Sequence, residues 1–326
     1  MTLPDPRANP CFMGHETAVN ALFHAAQSGR LHHGWLLTGP TGIGKATLSY
    51  RFGRWLLAGG QGGDLFVPEN SGVFRRVAAA THPDFFTVER RLNAKTEKLQ
   101  GEIVISTIQE ASAFMRLTPA EGGWRIVVVD GAEDMNTNAA NAVLKLLEEP
   151  PPRAILLLVS AAPGRLLPTI RSRCRVLPMS PLPDKTMHDL LKMYTPELDH
   201  ADTIRLLELA EGSIGNALKL TQVGGMALAA LVDKALDGKV NPTQAQHIID
   251  EVMKMTEGAD KFEMFFSLLR MRLATRTRLK ARAGEPNLQH HVALWQDFGK
   301  LERDVLGLNL DKRAAITVAL EQLHRS

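Results

Sequence analysis

Two continuous apolar runs mark the middle of the chain, Ile126-Val127-Val128-Val129 ending on Asp130, and Ile155 to Val159. Runs of this kind suit strands buried on both faces of a parallel sheet. Between them Asn141-Ala142-Val143-Leu144-Lys145-Leu146-Leu147-Glu148-Glu149 predicts a helix, closed by Pro150-Pro151-Pro152. Upstream, Val19, Leu22, Phe23 and Ala26 recur at helical spacing, which predicts a helix over 16–28. Trp35-Leu36-Leu37 reads as a short strand and 48–57 as a helix. The turn Thr81-His82-Pro83-Asp84 leads into a strand over 85–88. Ile103-Val104-Ile105 reads as another strand before a helix from Ser106 to Leu117, with Ser106 as N-cap and Gln109 completing a capping box.

The pattern then becomes helical. Pro178 to Pro183 reads as a linker, and helices are expected over 184–192, 201–211 and 215–223. After Gly224-Gly225 the chain is helical to its end, with turns at Asn241-Pro242 and Glu285-Pro286. The proline-rich residues 1–13 read as an extended arm, 59–72 as a glycine-rich loop and 92–99 as a polar exposed stretch. The expected organisation is a parallel sheet with flanking helices over 1–178, a small helical domain over 179–223 and an all-helical domain over 224–326.

Composition adds exclusions. The 326 residues are 44% hydrophobic and 22% charged, as in an ordinary globular protein. A net charge of +3 does not by itself point to nucleic acid. Cys11 and Cys174 give neither a disulfide framework nor a four-cysteine zinc site, and fit a reducing cytoplasm. No apolar run approaches a membrane span, and the first residues lack the pattern of a signal peptide.

The chemistry starts at Gly39-Pro40-Thr41-Gly42-Ile43-Gly44-Lys45-Ala46-Thr47, directly after the Trp35 strand. This is G-x-x-x-x-G-K between a strand and a helix. Its glycines turn backbone N–H groups onto phosphate oxygens, and its lysine reaches the β- and γ-phosphates. The loop departs from the pattern at Ala46, where a Ser or Thr hydroxyl would hold Mg²⁺. Thr47 lies about 100° further round the helix and is no substitute. Two readings stay open here: a working nucleotide site, or a retained loop without useful binding. Asp130 is a candidate for the acid that holds Mg²⁺ through water, or simply caps a helix. Gly131 follows it, so no adjacent carboxylate orients a water, and Glu133 is expected to project elsewhere. His82 is expected to serve its turn, Cys174 to be buried, and Trp295 and Phe298 to be core.

Several segments together resemble the clamp-loader subunits of bacterial DNA polymerase III, in the AAA+ superfamily. They are Gly29-Arg30-Leu31-His32-His33, Thr81-His82-Pro83-Asp84, Asn141-Ala142 with Leu144-Lys145-Leu146-Leu147-Glu148-Glu149-Pro150-Pro151, and Ser172-Arg173-Cys174. The resemblance covers about residues 8–220. It implies an AAA+ core, a helical lid and a helical collar.

Within the family, the motor subunits (gamma or tau) hydrolyse ATP, and the delta-prime type is a stator. The motor's threonine is Ala46 here, and its catalytic acid is Gly131. Its paired sensor-1 threonines are missing from Val159-Ser160-Ala161-Ala162-Pro163. Its sensor-2 arginine is Gly215, in Gly212-Ser213-Ile214-Gly215-Asn216-Ala217. The resemblance is therefore to the delta-prime branch. It implies no efficient ATPase in this chain, a vestigial site at Gly39, Gly42, Gly44, Lys45, Ala46, Thr47 and Asp130 able at most to hold ATP or ADP, and no metal.

The zinc module common in relatives has no cysteines here, so no zinc is expected. The resemblance also implies that Arg173 acts in trans on ATP held by a neighbour. The partners would be gamma/tau and delta in a pentameric ring that loads a sliding clamp at primed DNA, with no membrane contact. An active clamp-loader ATPase and a stand-alone P-loop hydrolase are the alternatives. If the 171–175 stretch is extended, Arg171, Arg173 and Arg175 form one basic edge. Arg272, Arg276 and Lys280 share one helix stripe, either solvated or facing a partner.

Overall fold

The computed structural model describes residues 5–92, 99–222, 224–237, 240–254, 261–285, 288–308 and 310–324. Pro286 and 93–98, parts of the expected turn and polar stretch, lie outside them. The chain forms two compact units, one of Thr2–Leu198 with Ala210–Asn216, the other of Asp199–Leu209 with Ala217–Ser326.

The first unit is built on a parallel sheet in the order β2-β3-β4-β1-β5. The strands are β1 (Gly34–Thr38), β2 (Phe85–Val88), β3 (Arg125–Asp130), β4 (Ala154–Ser160) and β5 (Arg175–Pro178). Both apolar runs occupy central strands, and every residue of β4 is buried. Two cores form because alternate residues face opposite ways. Ile126, Val128, Ile155 and Leu157 join α1 (Glu16–Gln27) and α2 (Lys45–Leu57) on one face. Val127, Val129, Leu156 and Leu158 join α4 (Ile105–Arg116) and α5 (Thr137–Glu148) on the other.

The stretch over 103–105 is not a strand. Ile103 makes only an isolated bridge to Met135, and α4 starts at Ile105 after Val104, whose side chain cannot cap. Ser106 therefore sits inside the helix, and the expected capping box is absent. Its pattern of residues was right, but the turn began two residues early.

The glycine-rich segment before His82 is organised without cysteine ligands. Trp55 Nε1 donates to Gln61 O (2.6 Å) and Arg51 Nη2 to Asp64 O (3.0 Å). Leu65 and Val67 are buried. Ser71 caps α3 (Gly72–Ala78), a helix not expected from the sequence, whose Phe74 and Val77 enter the core. Of the expected N-terminal arm, 1–4 lie outside the described residues, and 5–13 dock on the sheet unit. The buried Arg54 donates to Arg7 O (2.5 Å) and Asn9 O (3.1 Å), and Arg7 pairs with Glu89.

His82 and Asp84 brace the loop before β3. Asp84, fully buried, accepts from Ala120 N (2.8 Å) and Glu121 N (3.0 Å) and pairs with buried Arg125 (3.4 Å). His82 Nδ1 accepts from Asp84 N (3.1 Å), which gives His82 the turn role expected of it.

The second unit is helical. After α7 (Asp184–Tyr194), α8 (His200–Ala210) and α9 (Ile214–Gln222), its main elements are α10 (Gly225–Leu236), α11 (Pro242–Met253), α12 (Lys261–Arg282), α13 (Leu288–Leu308) and α14 (Lys312–His324). Asn241 and Gln244 form a capping box at α11. The stripe of Arg272, Arg276 and Lys280 is part-exposed and ion-paired within the chain: Arg272 pairs with Asp233 (3.0 Å) and Arg276 with Asp237 (2.7 Å), which ties α12 to α10, and Lys280 with Glu285 (3.7 Å). Phe298 is core, but Trp295 is 44% exposed, against expectation. The two are three residues apart on α13, about 60° round the helix, and Trp295 falls at the margin of the buried face. Among the described residues no helix is long and apolar enough to cross a membrane.

Candidate functional site

The phosphate loop follows β1 at the C-terminal edge of the sheet, where the neighbours of β1 are β4 and β5. Such switch points are where open α/β sheets bind ligands. Gly39, Gly42 and Gly44 all hold positive φ (142°, 77° and 107°), the curvature a phosphate cradle requires. α2 begins at Lys45, three residues earlier than its apolar pattern suggests, so its N-terminus opens into the loop. The cradle therefore fits a phosphate.

The groups that would act on a phosphate fit less well. Lys45 is buried, and its ammonium donates to Gly39 O (2.7 Å) and Pro40 O (2.6 Å) of its own loop. Burial pushes its pKa down to about 8, against the pull of Glu133 and Asp130. Ala46 has no hydroxyl. Ser49, about one turn further along the same helix, is buried and donates to Lys45 O (3.0 Å). Asp130 ends β3, and burial raises its pKa, with the charge of Glu89 adding to the rise.

Glu133 takes a place that spacing does not reveal. Gly131 is left-handed (φ 76°), and 132–134 forms a short 3-10 turn. The turn swings Glu133 back, where its Oε1 accepts from Ala161 N (2.8 Å) and its charge pulls on Lys45 more strongly than that of Asp130. The carboxylate is thus tied to the segment after β4. A three-residue offset gave no hint of this, because the left-handed glycine reverses the chain.

Gly215 does more than omit an arginine. Its N–H donates to Gly42 O (2.9 Å), and Ser213 Oγ donates to Thr41 O (2.8 Å). A Cβ on Gly215 would lie 2.8 Å from Gly42 Cα. Two residues without side chains let the segment rest on the phosphate loop. Gly215→Ala is expected to destabilise by about 1–3 kcal/mol through overpacking, read by urea unfolding; an unchanged midpoint would mean the contact yields freely. Gly215→Arg would wedge the segment off the loop before its guanidinium reached a phosphate.

Arg173 lies at the other edge of the sheet. It ends α6 (Pro168–Arg173) just before β5. The helix corrects the expected basic edge, since Arg171 and Arg173 stand about 200° apart on it. Arg175 stacks over Trp35, 4.9 Å from the ring centre. The Arg173 carbonyl lies 3.6 Å from where a Cβ on Gly34, the first residue of β1, would stand. The phosphate loop starts after the last residue of β1. Five residues of β1, at about 3.3 Å each, put roughly 16 Å of strand between the two. The Arg173 side chain is 39% exposed and pairs with Glu148 (2.9 Å). Cys174 beside it is buried, and burial raises its thiol pKa to about 12.

A family model described as DNA polymerase III, delta subunit, matches residues 14–183, just over half of the chain. The delta' subunit of DNA polymerase III from Pseudomonas aeruginosa is 40% identical over 156 residues, covering 46% of this chain and 44% of that one. The delta' subunit from Escherichia coli is 33% identical over 196 residues, covering 60% of this chain and 56% of its own. The chain belongs to the delta-prime subunit family of DNA polymerase III. It spans about half the length of these curated relatives that it matches. The tau subunit of E. coli is also similar, at 27% identity over 259 residues, covering 74% of this chain and 37% of that one. The solved structure of a gamma subunit-related protein from Thermotoga maritima shares the fold, with a TM-score of 0.51 at 20% identity over 93% of this chain and 98% of that one.

Within this delta-prime family chain, Gly39, Gly42, Gly44, Lys45 and Asp130 gather at one edge of the sheet and Arg173 stands at the other. Residues that spacing did not single out are Glu89, Glu148 and Ser213. Glu89 follows β2, whose register with β3 sets Val88 against Val129 and so brings Glu89 beside Asp130. That register is invisible in the sequence.

Proposed function

We propose that this chain is the stator subunit of the clamp loader of DNA polymerase III. It does not turn over ATP. It supplies Arg173 in trans to ATP held by a neighbouring gamma/tau-type subunit. With delta, these subunits form a pentameric ring that opens a sliding clamp and loads it at primed DNA. The chain works in the cytoplasm as part of the polymerase holoenzyme.

The observation that carries this reading is the position of Arg173, exposed at the sheet edge opposite its own phosphate loop. An arginine about a strand's length away cannot serve that loop, so its chemistry is directed outward. A guanidinium is a fixed, planar charge suited to a transferring phosphoryl group. The loop itself supports the other half of the reading. Ala46 offers Mg²⁺ no hydroxyl, Lys45 is bonded back to Gly39 and Pro40, and Gly215 is packed on Gly42.

The glycine cradle favours a second, compatible property: ATP or ADP held without efficient hydrolysis. When bound, the nucleotide would meet backbone N–H groups of Gly42 to Ala46, with Lys45 supplying charge after leaving its own carbonyls.

Turnover by the isolated full chain is the test. No ATP hydrolysis above background is expected. Motor-like rates would remove the stator reading and favour an active clamp-loader ATPase or a stand-alone hydrolase.

A further inference from the structure

We infer that Glu148 is the positioning residue for Arg173, holding its guanidinium ready for a triphosphate on a neighbouring subunit; this rests on the donor-arginine reading above. Two contacts fix the guanidinium. Nη2 meets Glu148 Oε1 at 2.9 Å, and Nη1 donates to Thr169 O at 3.2 Å. The first anchor ends α5 and the second lies in the first turn of α6, so the arginine is held between two elements. A guanidinium carries five N–H donors. One on each terminal nitrogen is used here, and the others remain for phosphate oxygens.

Glu148 can orient because its own helix end is registered against the sheet. His33 Nε2 donates to Leu147 O at 3.0 Å. The Leu147 side chain fills the space beside Gly34, only 2.6 Å from where a Cβ would stand. The carboxylate therefore has a fixed place relative to β1. The pair is half-exposed, with side chains 39% and 49% accessible, and such pairs are weak. Glu148 can thus align Arg173 without withholding it from a more highly charged phosphate.

The test uses the assembled complex with its ATP-hydrolysing partner subunits. Glu148→Ala is expected to lower kcat at the Arg173-dependent site by about tenfold with KM unchanged, within the 10²-fold range that misplaced groups reach. Glu148→Asp should recover part of the loss. In an Arg173→Ala background, Glu148→Ala should add nothing, because both act through one group. Wild-type or faster turnover in Glu148→Ala overturns the inference, as does a full further loss in the Arg173→Ala background. If Arg173→Ala itself hydrolyses at the wild-type rate, the donor-arginine reading falls first and this one with it. Thermal melts of each variant separate these outcomes from misfolding.

Discussion

Arg173→Ala in the assembled complex is expected to slow ATP hydrolysis at one site by roughly 10³–10⁵, the range measured for arginine fingers. The other sites of the ring would keep working. Bulk steady-state turnover would then fall only by the share of that site, so single-turnover kinetics is the measurement to make. Folding should be untouched. The side chain is 39% exposed, and its ion pair with the exposed Glu148 is worth about 0–1 kcal/mol at most. Arg173→Lys should not restore the rate, because an ammonium cannot present two parallel donors to a phosphate. Unchanged single-turnover kinetics in Arg173→Ala would remove the in-trans role.

The largest expected effect on stability comes from the opposite kind of site. Asp84→Ala should cost about 3–5 kcal/mol, the cost of breaking a buried ion pair by removing one partner. The Asp84 side chain is 1% exposed and that of Arg125 5%. Two backbone N–H groups, at Ala120 and Glu121, also lose their acceptor. Arg125 keeps its bonds to the carbonyls of Phe114 and Thr118, but its charge is left without a counter-ion in the interior. Urea unfolding of the full chain reads this directly. Glu121→Ala is the control. It removes an exposed pair with Arg76 and should cost less than about 1 kcal/mol. Similar losses from the two variants would show that Asp84 is not the brace.

Both predictions start from short sequence patterns, and the two patterns turned out differently. Thr81-His82-Pro83-Asp84 looked like a turn and is one, but its aspartate is also the buried anchor of a loop 36 residues on. Ser172-Arg173-Cys174 would form a basic edge with its neighbours only in an extended stretch, and it lies at the end of a helix. Six residues are too few for a helical period to show. The apolar runs at 126–129 and 155–159 were legible because strands buried on both faces leave no polar positions. The capping at Ser106 was not, because the helix starts two residues earlier than the cap pattern allows.

The amino-acid sequence by itself determined the chemistry that is missing. Ala46 carries no hydroxyl, Gly131 no carboxylate and Gly215 no guanidinium, and no folding can supply them. It also determined where the chain must turn, because the glycines of G-x-x-x-x-G-K between a strand and a helix allow the positive φ of that loop. Tertiary structure alone decided what stands around those positions. The left-handed turn at Gly131 brought Glu133 back towards Lys45. The close approach of two glycines put Gly215 on Gly42. The length of β1 set Arg173 a strand away from its own loop, with Glu148 from α5 at its side. The physical reason is common to all three. Side-chain identity is written residue by residue, but the distance between two side chains depends on strand register and chain reversal, which link positions far apart in the sequence.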